Sequence, residues 1–269
     1  MSVATLELET FGDLLRHWRK VRGYSQLALA LEAGSSARHL SFVESGRAQP
    51  SRAMVLRLAE ALRLSLRDQN LLLGAAGFAP VYAERPLDDA ALARARRALE
   101  FMLAKQEPYP ALVMNRRWEV VMTNQALGRL FALIQLDPAA LGQGFDALRS
   151  FLHPEGLKRF VRNWPVAAGM TMARVQRDLA LNPDPALLAV VEEVKTYPGV
   201  RALLAKGAGL PASEPIVPLE LEIDGQVWSW FTTIATFGTP QDVTLQELKV
   251  EMFFPADAQT EEAAKRLLG

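Results

Sequence analysis

The sequence predicts two domains of different class: an all-α domain of five short helices, and an α+β domain whose five-stranded antiparallel sheet is covered by helices. Apolar residues follow helical spacing in five short segments between about residues 11 and 76. Beyond Pro108, apolar and polar residues alternate between turn signals, which is typical of strands. Between these regions, FAPVYAERPLDD has two prolines and no periodicity, which indicates a domain boundary. The predicted limits are 1–80 for the helical domain, 81–107 for a helical linker and 108–269 for the α+β domain.

The five helical segments carry start or stop signals. The first segment ends at Gly23, and Ser25 and Ser36 are placed to cap the second and third. Pro50-Ser51 begins the fourth segment, and SLRDQNLLLGAAG supplies the fifth. Together these short amphipathic segments predict a compact all-α module.

The third segment has an outward face that helix packing does not explain. On a helix that starts at Ser36, Leu40 and Val43 point inward. The opposite side carries Ala37, Arg38, Ser41 and Phe42, with His39 beside it. A helix, a short turn and a further helix with two inward apolar residues form the helix-turn-helix plan, in which the last helix enters the major groove of DNA.

The α+β domain is predicted from a hairpin whose register can be worked out. Asp224-Gly225, between two alternating runs, predicts a two-residue turn. Pairs then move outward in equal steps, so that Leu221 faces Trp228. The apolar face holds Leu219, Leu221, Ile223, Trp228 and Trp230. We expect helices from the middle of the chain, 145–207, to cover this face.

Charge is unevenly distributed along the chain. The whole sequence holds 30 Lys and Arg against 30 Asp and Glu, which by itself gives no sign of a nucleic-acid partner. Residues 11–67, however, hold ten Lys and Arg against four Asp and Glu. A local basic excess of this kind is the electrostatic footprint expected of a surface that binds a phosphate backbone.

Cysteine content and hydropathy bear on the cell compartment. The sequence has no cysteine, which excludes disulfides, thiolate nucleophiles and cysteine-based metal sites. It has no run of about 18 apolar residues. Acidic residues occur near the N-terminus, where a secretory signal would carry basic ones. We therefore expect a cytoplasmic protein without a membrane segment.

The stretch LLRHWRKVRGYSQLALALEAGSSARHLSFVESGRAQPS resembles the helix-turn-helix domain of the XRE family, which is related to phage repressors. The resemblance covers residues 11–76. It implies base-reading positions on the third helix, at Ala37, Arg38, His39, Ser41 and Phe42. It also implies phosphate contacts from Gln26, Arg47 and Arg52, and an internal ion pair between Arg19 and Glu44.

The chemistry of the outward face agrees with DNA reading. Arg38 suits a bidentate pair with guanine, His39 a purine edge, and Phe42 a thymine methyl group. The alternative for Arg38 is an ordinary solvated charge. For Phe42 the alternatives are packing against the helical bundle or against the second domain.

From about residue 80 onward the sequence resembles the MmyB-like ligand-binding domain of bacterial regulators, which has a PAS-like fold. The blocks that carry this resemblance are EPYPALVMNRRWEVVMTNQALGRLF, LHPEGLKRFVRNW, YPGVR and TFGTPQDVTLQELKVEMFFPAD. It implies a pocket for a small apolar ligand, fatty-acid-like in some members. Residues able to line such a pocket are Trp118, Phe131, Phe160, Asn163, Trp164, Met170, Trp228 and Trp230. For each large apolar residue the alternative is ordinary core packing.

Enzyme classes find little support in the sequence. The only histidines are His17, His39 and His153, which are too few and too scattered for a metal site. No P-loop, G-x-S-x-G or G-x-G-x-x-G motif occurs, and KGAGLP at 206–211 follows no predicted strand. We expect no catalytic residue, no metal and no cofactor.

These observations predict a bacterial transcription regulator that binds a double-stranded DNA operator as a homodimer and senses a small apolar ligand. Two-fold pairing is expected because one recognition helix reads too few bases for specificity. Two alternatives stay open. One is a constitutive repressor whose C-terminal domain serves only dimerisation, and the other is a helix-turn-helix subunit that acts through a protein partner.

Overall fold

The computed structural model describes residues 10–142, 144–206 and 216–269. The chain divides into two compact units. The helical unit extends to Pro86 and also contains Gly238–Gln246, and the sheet unit contains Leu87–Phe237 and Glu247–Gly269. The N-terminal segment 1–9 and most of KGAGLP, on which two sequence predictions rest, lie outside the described residues.

The secondary structure is mainly helical, with five strands among the described residues. The α-helices are α1 Phe11–Val21, α2 Gln26–Glu32, α3 Ala37–Glu44, α4 Arg52–Ala61, α5 Leu66–Ala75, α6 Ala93–Lys105, α7 Gln125–Leu133, α8 Ala147–Leu152, α9 Trp164–Leu181, α10 Pro185–Val194, α11 Val200–Lys206, α12 Val243–Glu247 and α13 Ala258–Leu267. The strands are β1 Ala111–Met114, β2 Val120–Thr123, β3 Leu219–Ile223, β4 Gln226–Ala235 and β5 Lys249–Pro255.

The first five helices form the predicted all-α module. Each begins at a residue whose hydroxyl accepts a hydrogen bond from the backbone N–H three positions further on, and these residues are Thr10, Ser25, Ser36, Ser51 and Ser65. The predicted caps at Ser25 and Ser36 are therefore confirmed. The core includes Phe11, Leu15, Trp18, Leu29, Leu40, Val43, Val55, Leu58, Leu62, Leu72 and Leu73. It lies between short helices that are too small to be stable alone.

Helices α1 and α3 approach each other closely at Gly12. A Cβ atom at this position would lie 2.4 Å from the carbonyl oxygen of Glu44, which is far inside van der Waals contact. Gly12 is buried and is the second residue of α1. The absence of a side chain therefore lets α1 lie against the C-terminal end of α3.

The sheet of the second unit is antiparallel throughout, with the strand order β2-β1-β5-β4-β3. The hairpin register is confirmed, because Leu221 pairs with Trp228 and Ile223 with Gln226. Its turn residues Asp224 and Gly225 have φ values of 49° and 74°, as a two-residue turn of this kind requires.

One face of the sheet is buried beneath helices, as the alternation predicts. Trp228 and Trp230 are each 1% exposed and belong to the main core of this unit. That core also contains Leu127 of α7, Met172 of α9 and Ala264 of α13. The result is an α+β unit whose helical cover and apolar sheet face enclose the interior.

Replacing Gly12 by Ala should destabilise the helical unit by about 1–3 kcal/mol, because the new methyl group overpacks the contact with Glu44. Gly74→Ala is the matched control: it lies in α5, and a Cβ there meets nothing within 4 Å. The control should be neutral or stabilising by up to about 1 kcal/mol, through helix propensity. Hydrogen exchange of the buried amides in α1–α5 measures both effects. Equal protection in the two variants would contradict the close approach.

Candidate DNA-reading surface and ligand cavity

Helices α2 and α3 are joined by a tight turn at Gly34, whose φ is +63°. The turn is closed by backbone hydrogen bonds from Gly34 N to Leu31 O at 3.1 Å and from Ser35 N to Ala30 O at 2.7 Å. The inward residues of α3 are those predicted, since Leu40 and Val43 are 0% and 1% exposed. This turn fixes the direction in which α3 leaves α2.

The outer side of α3 presents groups of mixed chemistry. Arg38 is exposed, and its guanidinium lies 5.5 Å from the ring centroid of Phe42, within cation–π range. The half-buried residues of this side are Ala37, His39, Ser41 and Phe42. A cation, hydrogen-bonding groups and an apolar ring therefore lie together on one helix.

Glu44, at the end of α3, is held by groups from two other helices. Its carboxylate accepts hydrogen bonds from Arg19 Nε at 2.6 Å and Nη2 at 3.0 Å, and from Gln26 Nε2 at 2.8 Å. Its carbonyl oxygen accepts one from Arg16 Nη2 at 2.7 Å. Because Glu44 is only 3% exposed, these bonds compensate a buried charge and tie α3 to α1 and α2.

The electrostatics of Glu44 reflect two opposing effects. Burial disfavours the charged form, but the hydrogen bonds from Arg19 and Gln26 and the positive charges nearby outweigh it. The pKa of Glu44 therefore lies below its ordinary value. The hydrogen bond with Glu44 likewise raises the pKa of Arg19. The pair is thus ionised at neutral pH.

The three residues implied in phosphate contacts lie at or near the surface of the helical unit. Gln26, the first residue of α2, is half-buried, and its amide nitrogen donates one proton to Glu44. The amide group has a second proton, which can serve another acceptor. Arg47 and Arg52 are exposed, and neither side chain has an ion pair or hydrogen bond with a described residue.

The sheet unit contains a cavity of about 360 Å³. Its walls come from the sheet and from α7, α8 and α9, and they include four residues of the predicted pocket: Trp118, Phe131, Met170 and Trp230. The volume lies within the range of about 300–1,000 Å³ that is usual for small-molecule sites. Met170, Arg177 and Thr232 line the cavity and are exposed, so the cavity reaches solvent beside α9 and β4.

The other four residues of the predicted pocket do not line this cavity, and local contacts explain why. Asn163 donates from Nδ2 to Pro218 O and accepts at Oδ1 from Glu220 N, so its amide is used to hold β3. The ring of Trp164 packs beside Phe151 and beneath the ammonium group of Lys158. The remaining two are Phe160, covered by the guanidinium of Arg159, and Trp228, buried in the core beside Trp230.

Sequence reasoning missed the charged residues in the cavity wall. Arg174 of α9 forms a two-point ion pair with Glu251 of β5, at 3.1 and 3.0 Å, and its guanidinium lies 4.2 Å from the Trp118 ring. Trp118 has a φ of +67°, a left-handed conformation that is rare for a bulky residue. The one feature of the local sequence that could have indicated Arg174 as a cavity residue is helical spacing: Ala167, Thr171 and Arg174 share one face of α9, and all three line the cavity.

Three buried donors in the cavity wall have no hydrogen-bond partner among the described residues. They are the Trp118 and Trp230 indole N–H groups and the Ser150 hydroxyl. Each of these residues is at most 4% exposed. A buried donor without a partner costs about 1–3 kcal/mol, which is unusual in a simple core.

Comparison with known families identifies the class of protein. A family model described as "MmyB-like transcription regulator ligand binding domain" matches residues 95–267, and a model described as "Helix-turn-helix" matches residues 15–69. The first match covers well over half of the 269 residues, so the chain belongs to the MmyB-like transcription regulators. It is a DNA-binding transcription regulator with a ligand-binding domain, and both matched families are regulator domains rather than enzymes.

Other comparisons add little. A search of curated protein sequences gives no match. One solved structure that resembles the chain is titled "Structure of an RNA-binding Light-Oxygen-Voltage Receptor", with 11% sequence identity and a TM-score of 0.25. The alignment covers 96% of this chain and 61% of that one. A likeness at this score carries no argument about fold or function.

Across 10–142, 144–206 and 216–269, no group of three or more His, Cys, Asp or Glu is placed to hold a metal ion. Among the same residues, no helix is long and apolar enough to cross a membrane.

Replacing Glu44 by Gln should cost the helical unit about 3–5 kcal/mol, because Arg19 then loses its partner in a mostly buried position. The loss should depend on pH. Glu44 has a lowered pKa, so its contribution is fully present above the ordinary value of 4.5 and is lost as the pH falls through the lowered one. Glu60→Gln, at an exposed position of α4, is the control and should change little.

Urea unfolding followed by the NMR signals of the helical unit, at pH 7 and at several values below 4.5, measures these effects. If Glu44→Gln and Glu60→Gln had the same urea midpoint at pH 7, Glu44 would not have the stabilising role assigned to it.

Proposed function

We propose that this protein binds a specific DNA operator through α3 and that a small, largely apolar ligand in the sheet unit controls its affinity for that operator. The observation that carries the ligand part of this proposal is the cavity of about 360 Å³ between the sheet and helices α7, α8 and α9. A sheet domain used only for dimerisation has no need of such a space, because close packing is the rule in protein interiors.

Base reading is assigned to the outer side of α3. Arg38 gives a bidentate pair to a guanine, His39 hydrogen-bonds a purine edge, and Phe42 contacts a thymine methyl group. The short side chains Ala37 and Ser41 let the helix lie close to the base edges. The exposure of Arg38 and its position beside Phe42 support this assignment.

Phosphate contacts are assigned to Gln26, Arg47 and Arg52. The two arginines are unpaired with any described residue and exposed, which leaves their charge available to the DNA backbone. Gln26 shares its amide group between Glu44 and a phosphate oxygen. The Arg19–Glu44 pair takes a structural role, because it holds α3 at its angle to α1.

The regulator acts as a homodimer on a palindromic operator. One helix reads only a few base pairs, and two copies related by two-fold symmetry double the sequence that is read. DNA as the partner implies that it acts in the cytoplasm. The proposed domain limits are 1–80 for DNA binding, 81–107 for the linker and 108–269 for ligand binding.

The ligand class follows from the distribution of polar groups in the cavity. The inner walls are made of large apolar side chains such as Phe131 and Trp230, while Arg177 and Thr232 lie where the cavity meets solvent. This arrangement suits a molecule with an apolar body and one anionic or polar end, such as a fatty acid.

The two kinds of DNA contact predict different consequences of mutation. Arg38→Ala should reduce discrimination against a mismatched guanine position by about 1–3 kcal/mol. Arg52→Ala should weaken binding to all sequences alike and lower the slope of log affinity against log salt by about 1.

Fluorescence anisotropy measures the affinity of each variant for a duplex selected from a random library and for single-base variants of that duplex. The titrations are repeated at several salt concentrations to obtain the salt slope. Arg94→Ala serves as a control, because this exposed arginine lies on α6 of the sheet unit. If Arg38→Ala weakened all duplexes equally, the base-reading role would be wrong.

Filling the cavity should abolish ligand binding. Ala167 lines the cavity, so Ala167→Phe should reduce the affinity for dodecanoate at least tenfold, because the larger ring occupies the space. Ala180→Phe introduces the same ring on an exposed part of α9 that does not line the cavity, and it should leave binding unchanged.

Titration calorimetry measures dodecanoate affinity, and mass spectrometry of the molecules released on denaturation identifies any compound that co-purifies. If neither dodecanoate nor a co-purified compound bound to the wild-type protein, the constitutive repressor would be the better hypothesis.

A further inference from the structure

A short segment of the chain belongs to a different unit from the sequence on either side of it. Residues Gly238–Gln246, which we name the clasp segment, connect β4 to β5 of the sheet unit. They nevertheless form part of the helical unit. A connection between neighbouring antiparallel strands needs only a few residues, so sheet formation does not require this excursion.

The clasp segment is held in the helical unit by hydrogen bonds with the end of that unit's main segment. Asp242 is 3% exposed and accepts from Arg85 Nη1 at 2.9 Å, while Thr244 Oγ1 donates to Arg85 O at 2.6 Å. Val243 N donates to Ala83 O at 2.9 Å. Both backbone and side-chain groups therefore fix the segment.

The last residue of the clasp segment contacts a helix of the DNA-binding module directly. Gln246 Oε1 accepts a hydrogen bond from Leu66 N at 2.6 Å. Leu66 is the first residue of α5, where a backbone N–H has no partner within its own helix. Since Leu72 and Leu73 of α5 lie in the core of the helical unit, the position of α5 affects how that core packs.

At its other end, the clasp segment leads into the wall of the cavity. β5 begins three residues after Gln246, and its Glu251 lines the cavity. Helix α9, which also lines the cavity, is locked to β5 by two ion pairs, Arg174–Glu251 at 3.0 Å and Asp178–Lys249 at 2.5 Å. These ion pairs connect α9 to the first residues of β5.

We propose that the clasp segment transmits the state of the cavity to the DNA-binding module. A ligand that enters the cavity displaces α9 from its present position, and the two ion pairs carry this displacement to β5. The start of β5 then moves Gln246 relative to Leu66, which alters the start of α5. The inference rests on the proposed function, because it supplies the route by which ligand binding changes DNA affinity.

Hydrogen exchange tests, in the absence of ligand, whether the ion pairs between α9 and β5 are coupled to the Leu66 amide. Glu251→Gln removes the charge that pairs with Arg174, and it should speed exchange of the Leu66 amide at least threefold. Glu222→Gln makes the same chemical change at an exposed position of β3 and should leave that amide unchanged. Gln246→Ala removes the acceptor itself and should speed the same amide in the otherwise intact protein. Equal Leu66 exchange in Glu251→Gln and Glu222→Gln overturns the proposal.

The effect of ligand on DNA affinity tests whether the clasp segment transmits regulation. In the full-length wild-type protein, saturating dodecanoate should change the Kd for the selected duplex at least fivefold. The variant Asp242→Ala with Gln246→Ala should still bind dodecanoate and DNA, but with less than a twofold change in Kd. Gln241→Ala, an exposed glutamine of the same segment, should respond as the wild type does. A single Gln246→Ala variant replaces the double one if the latter is unfolded, and it should respond more weakly than the wild type.

The two proposals fail in different ways. A clasp variant that keeps the full response to dodecanoate overturns the role of the clasp segment and leaves ligand regulation standing. A wild-type protein that binds DNA but does not respond to any ligand bound in its cavity overturns ligand regulation, and the inference with it.

Discussion

The orientation of α3, the helix to which DNA reading is assigned in our proposal, depends on one buried carboxylate, that of Glu44. A charged group in this position is stable only if its hydrogen-bonding capacity is satisfied, and the donors come from Arg19 of α1 and Gln26 of α2. These bonds have a directional requirement that apolar packing lacks. Gly12 adds a steric requirement, because α1 lies against the carbonyl group of the same glutamate. The angle at which α3 projects is thus set by polar geometry within an otherwise apolar bundle.

In the sheet unit, the same face serves both as core and as cavity wall. Trp228 is buried in the core, whereas Trp230, two residues further along β4, lines the cavity. Arg174 of α9 also lines the cavity, and its charge is paired there with Glu251 of β5. Trp118, whose ring lies beside the Arg174 guanidinium, has a left-handed backbone. An ion pair and a strained residue thus accompany the departure from close packing.

The path of the chain links the two units at more places than their order in sequence would indicate. The chain enters the sheet unit after Pro86, returns to the helical unit over Gly238–Gln246, and re-enters the sheet unit at Glu247. Each crossing is a covalent connection that cannot separate during a conformational change. A regulator with a single linker has one such connection and therefore fewer ways to transmit a displacement.

The sequence by itself determined the features that depend on neighbours in the chain. Helix caps at Ser25 and Ser36 and the register of the hairpin around Asp224-Gly225 follow from bonds and sterics within a few residues, and the structure agrees with them. Tertiary structure alone decided the wall of the cavity and the place of the clasp segment. Arg174 and Glu251 are 77 residues apart, and Arg85 and Asp242 are 157 apart. Nothing local distinguishes these residues from solvated charges, because their partners are chosen only when the sheet and its helices pack together.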